Sequence, residues 1–85
     1  AEAMAILYCG RLAPGKGVQL LIEAARGIPE AFLIIAGEGP ERSALEAEAK
    51  RLAVPSVFVG QVEDPYPYYR MADLVALPSE MEALP

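Results

Sequence analysis

The chain contains no histidine. No imidazole base, no Ser-His triad and no histidine-ligated metal can therefore be assembled from it. It has a single cysteine, Cys9, at the end of an apolar run. That excludes an internal disulfide, and the position reads as a small buried hydrophobe rather than a reactive thiol. Basic residues are few, 7 Lys and Arg against 12 Asp and Glu, for a net charge of −5. Nucleic-acid binders present a basic face, so no nucleic-acid partner is expected. Any anion site has to be local, because the overall field repels anions. No apolar run approaches the ~20 residues of a membrane span, and Ala1-Glu2-Ala3 has none of the marks of a signal peptide. No transmembrane segment is expected, and the expected location is cytoplasmic, with a parent protein free to lie on a membrane surface. What is present is globular: 54% of the 85 residues are apolar, enough for one small domain.

Apolar runs of two periods alternate along the chain. Ile6–Cys9, Phe32–Ala36, Val57–Val59 and Leu74–Leu77 are short and continuous, as strands buried on both faces should be. Between them lie helical patterns. Val18, Leu21, Ile22 and Ala25 follow the i, i+3, i+4, i+7 spacing, with Gly27 and Pro29 as a stop. In the second pattern Pro40 suits a first helical turn, Leu45, Ala49 and Leu52 share a face, and Glu46 and Lys50 are spaced for an ion pair. The third, Tyr66–Met71, is a turn or two in which Tyr69 or Met71 is expected to pack inward and Arg70 to be solvated. The result is β-α-β-α-β-α-β, an α/β class with a Rossmann-like parallel sheet and right-handed crossovers. In the strand order 3-2-1-4 the ligand crevice lies at the carboxyl ends of the strands, between strands one and four.

The first strand runs into Gly10-Arg11-Leu12-Ala13-Pro14-Gly15-Lys16-Gly17, and a helix follows. Such a turn sets two cations, Arg11 and Lys16, beside the unpaired N–H groups and positive dipole end of a helix, where an anion is favoured. Three readings compete. Gly10-x-x-x-x-Gly15-Lys16 meets a P-loop pattern up to its last place, where Gly17 replaces the hydroxyl residue that holds magnesium. A dinucleotide-binding turn needs Gly-x-Gly-x-x-Gly, and Gly10, Gly15 and Gly17 are spaced differently. Glu38, after strand two, stands where an acid would hold a ribose hydroxyl, or is a solvated loop residue.

The third reading is a nucleotide-sugar diphosphate site, and here the residues carry a resemblance. Gly10-Arg11-Leu12 with Lys16-Gly17, Gly37-Glu38-Gly39-Pro40-Glu41-Arg42, Ala72-Asp73-Leu74 and Pro78-Ser79-Glu80-Met81-Glu82-Ala83-Leu84-Pro85 fall in this order. The set resembles the C-terminal, donor-binding domain of retaining GT-B glycosyltransferases of the group 1, glycogen synthase-like family. The resemblance runs from about Ile6 to Pro85.

It implies that Arg11 and Lys16 contact the diphosphate of a nucleoside-diphosphate sugar and stabilise the charge that grows there as the sugar departs. Glu82 matches the first glutamate of the family's Glu-x7-Glu motif and would hold donor-sugar hydroxyls; the second falls beyond Pro85. Gly10, Glu38 and Ser79 would touch the nucleotide. The Gln61-Val62 loop lies where related enzymes cradle the base, and an ordinary loop is an equal alternative. No metal or other cofactor is expected, and the acceptor would be a sugar, a lipid or a glycan. Gly15 departs from the polar or acidic residue usual at its place. A bare edge after strand four and the missing acceptor-binding domain imply a fragment, residues 1–85, that does not turn over alone. A non-catalytic nucleotide-binding module and a GT-B sugar-nucleotide epimerase are the alternatives.

Overall fold

The computed structural model describes residues 3–78, and within them four strands alternate with three helices. They are β1 (Met4–Cys9), α1 (Val18–Ala25), β2 (Ala31–Ala36), α2 (Arg42–Arg51), β3 (Ser56–Gly60), α3 (Tyr66–Met71) and β4 (Leu74–Val75). The strands form one parallel sheet in the order β3-β2-β1-β4. Residues Met4 to Cys9 pair in register with Ala31 to Ala36, and Ile6 and Leu7 pair with Leu74 and Val75.

The period of two in a strand sorts the core into two layers. Ile6 and Tyr8 of β1 and Leu33 and Ile35 of β2 face α1 and α2, where they meet Val18, Ile22, Leu45 and Ala49. Leu7 and Ile34 point to the opposite face, where Tyr68 and Ala72 at α3 pack against them. Helices thus cover both faces, which is why the two central strands read as unbroken apolar runs. Complete burial of a side chain such as Leu7 or Ile35 contributes about 1.5–3 kcal/mol.

Several expectations from the sequence are corrected. Helix α2 begins at Arg42, and Pro40 precedes it in a turn. Tyr69 and Met71 are exposed, and the inward residues at α3 are Tyr68 and Ala72, since a helix of 6 residues is too short for a spacing to reveal its face. Glu46 pairs with Arg42 rather than Lys50. The outer strands are not buried on both faces: Val57, Leu74 and Val75 are exposed. The last strand covers Leu74–Val75 alone. Its start is set by Asp73, whose N–H donates to Ala5 O while its carboxylate accepts the Ala5 N–H, both at 2.8 Å.

Candidate functional site

Three loops leave the carboxyl ends of β1, β2 and β3 and are joined through their backbones. The Gly10 N–H donates to Ala36 O (2.9 Å), the Leu12 N–H to Glu38 O (3.0 Å), the Glu41 N–H to Leu12 O (2.9 Å) and the Gly37 N–H to Gly60 O (2.8 Å). The approach is so close that a Cβ at Gly37, where φ is +148°, would overlap the carbonyl oxygen of Gly10. Only glycine fits there.

Beneath the first loop, the buried Tyr8 hydroxyl donates to the Arg11 carbonyl at 2.7 Å. Burial, and secondarily the neighbouring Cys9, push the Tyr8 phenol above its ordinary pKa, so it stays a neutral donor. The chain then turns tightly, with the Lys16 N–H donating to Ala13 O (3.3 Å), and enters α1 through Gly17 at φ +79°. No side chain of a described residue caps α1, so among the described residues the first N–H groups of that helix have no side-chain acceptor. Gly17 lies against the backbone of Pro78, the last described residue, which brings the glycine turn beside the segment that follows β4. The turn thus meets the segment after β4, but the cavity at this end of the sheet is displaced from the crevice expected between strands one and four: it is lined from the ends of β1, β2 and β3.

An open cavity of about 580 Å³ lies over these strand ends. Of the residues singled out from the sequence, Gly10, Arg11, Glu38, Gln61 and Val62 line it together, and Cys9 is in its wall. Lys16 belongs to the same turn but does not line that cavity. Ser79 and Glu82, like the competing Glu80, lie outside the described residues. Neither Arg11 nor Lys16 forms an ion pair with another described residue. No three acidic or cysteine side chains gather into a metal site among the described residues.

The glutamate in the cavity wall is paired. Arg42, at the start of α2, forms an ion pair with Glu38 through Nη1. Its Nε donates to Glu46 Oε2 at 2.9 Å and its Nη2 to Phe58 O at 3.2 Å. Hydrogen bonding to Glu46, more than Glu38's charge, raises the guanidinium pKa. Arg42 and Tyr8 are the two site residues that the sequence reading gave no role. The only signals were a Tyr in the strand before the turn and an Arg closing the Gly37–Arg42 stretch.

Comparisons with known proteins agree with this architecture. The model of the family "Glycosyl transferases group 1" matches residues 2–85. The lipopolysaccharide core biosynthesis glycosyltransferase LpsE of Rhizobium meliloti is 33% identical over 86 residues, 99% of this chain and 25% of its own length. The chain thus spans about a quarter of that relative. Among solved structures, HepE of Anabaena, in complex with UDP and glucose, superposes with a TM-score of 0.82 at 29% identity, over 93% of this chain and 24% of HepE. The C-terminal domain of the group 1 protein LpcC of Francisella tularensis superposes with a TM-score of 0.74 at 28% identity, over 92% of this chain and 48% of that domain. The parallel sheet with its glycine turn, the match along nearly all of the sequence and the likeness to LpcC's domain converge: this chain belongs to the glycosyl transferases group 1 family and corresponds to part of its C-terminal domain.

Proposed function

We propose that the chain is part of a longer transferase and forms the donor-binding side of its active site. The reaction would move a hexosyl group, with retention, from a nucleoside-diphosphate sugar to a sugar, lipid or glycan acceptor. One observation carries this reading: Arg11 lines the cavity over the strand ends and makes no ion pair with another described residue. Among the described residues nothing offsets its charge against an anionic ligand in that cavity, and the same turn leads into α1 at Gly17. HepE, similar over this stretch, was solved with UDP and glucose, which makes UDP the natural first probe.

The chemistry follows from the charge. As the bond from the sugar's anomeric carbon to the diphosphate oxygen breaks, the electron pair stays on the leaving diphosphate. A guanidinium and the N–H groups of a helix start, already oriented, lower the free energy of that charge without reorganising solvent. Lys16, in the same turn though outside the lining of that cavity, is assigned as the second cation, reaching the diphosphate from the turn's far side. Glu82 is assigned to the donor-sugar hydroxyls. Side chains and the helix end are assigned the neutralising role, and turnover that survives a chelator is the corresponding check.

In the full-length enzyme, Arg11→Ala and Lys16→Ala should each weaken donor-diphosphate binding by about ten- to a hundredfold, or roughly 1.5–3 kcal/mol. UDP titration calorimetry with donor kinetics measures both. Unchanged donor kinetics in the two variants would rule the assignment out.

A further inference from the structure

Arg42 has a geometry that stabilisation of α2 alone does not explain. Its three donors reach three directions: Nη1 to the Glu38 carboxylate, Nε to Glu46 Oε2 one helical turn on, and Nη2 to the carbonyl of Phe58 in β3. Glu46 faces away from the cavity, whereas Glu38 lines it. Phe58 lies three residues before Gln61, which also lines it. The pair sits directly over the backbone between them. A Cβ at Gly60 would be 3.2 Å from Glu38 Oε2 and 3.7 Å from Arg42 Nη1. One guanidinium therefore fastens the loop after β2 to the end of β3, and those segments together form one side of the cavity.

Resting on the donor-site reading above, we propose that Arg42 is a positioning residue for the nucleoside. By holding Glu38 against the end of β3, it presents Glu38, Gln61 and Val62 to the ribose and base as one preformed wall. It also offsets the Glu38 charge, which would otherwise oppose an anionic ligand in the same cavity. The ion pair is partly exposed, with side-chain exposures of 33% and 46%, so solvent screens much of its worth to stability. Its effect is on where the carboxylate and the strand end are held. The planar fork is needed, since a lysine ammonium cannot meet three acceptors in those directions.

The test uses the full-length enzyme with uridine and UDP as probes, by titration calorimetry, alongside donor kinetics and thermal melting. Arg42→Met should weaken uridine about five- to tenfold, the net worth of about one ordinary hydrogen bond, and UDP by more, because the unpaired Glu38 charge then also opposes the diphosphate. Donor KM should rise similarly while kcat changes little, and Arg42→Lys should recover only a small part. Glu38→Gln should cost less in the Arg42→Met background than in the wild type, because the two act as a unit. A merely structural Arg42 would lower the melting temperature and leave the uridine affinity of the folded protein untouched. That outcome, or full rescue by Arg42→Lys, or additive losses in the double variant, would overturn the proposal. Arg42→Lys and Glu38→Gln keep the test open should Arg42→Met fail to fold. Failure of the wild type to bind either probe would instead defeat the donor-site reading itself.

Discussion

Replacing Gly37 with alanine tests how tightly the site floor is built. The added methyl would overlap the Gly10 carbonyl oxygen and lie 2.9 Å from its carbon, and both are backbone atoms. No side-chain rotation relieves that, so the turn after β1 has to move. Moving it loosens the bonds from Gly10 N–H to Ala36 O (2.9 Å) and from Leu12 N–H to Glu38 O (3.0 Å). Each is worth about 1 kcal/mol, backbone displacement by overpacking adds about 1–3 kcal/mol, and an alanine at φ +148° adds about 1–3 kcal/mol more. The expected cost is roughly 4–8 kcal/mol, comparable with the whole stability of a small domain. Gly15→Ala is the control. Its φ is +87°, but nothing lies within 4 Å of the new methyl, so only a backbone cost of about 1–2 kcal/mol is expected. Urea unfolding followed by circular dichroism separates the two. With a slope near 1 kcal/mol per molar, the Gly37→Ala midpoint should fall about 3–6 M below that of Gly15→Ala. Equal midpoints would refute the close-packed floor.

Two further outcomes are expected. Tyr8→Phe deletes the hydroxyl that holds the Arg11 carbonyl and should cost about 1 kcal/mol at neutral pH. Because burial raises the folded phenol pKa above its ordinary 10.0, that contribution is fully present below pH 10 and lost as pH rises beyond it. Wild-type stability should therefore fall more steeply than the variant's above pH 10, and parallel curves in urea melts would contradict the cause given. Glu82→Gln should lower turnover more than nucleotide affinity, since its assigned contact is to the sugar; equal losses of UDP and UDP-sugar affinity would remove that assignment.

The central strands were legible because they are buried on both faces. Leu7 and Ile6 point in opposite directions and are both enclosed, so no alternation interrupts the run. The parallel sheet followed from the alternation of elements, whereas the order 3-2-1-4 came with the Rossmann-like fold class, and with it the meeting of the glycine turn and the segment after β4. Local spacing failed where two partners satisfied the same rule. Glu46 has a cation four residues away on either side, and Arg42 prevails because Glu38 and Phe58 O already hold it in place. The clamp itself was illegible, since one of its acceptors is a backbone carbonyl 16 residues away. At α3 the inward residue, Tyr68, is one place from the expected Tyr69. Six residues do not define a helical face.

The most direct test is a structure of the full-length enzyme with UDP bound. The diphosphate should lie against the Arg11 guanidinium and the start of α1, with the uridine along Glu38, Gln61 and Val62. UDP bound anywhere else, for instance in the groove between α2 and β3 lined by Lys50 and Phe58, would contradict a donor site at these strand ends.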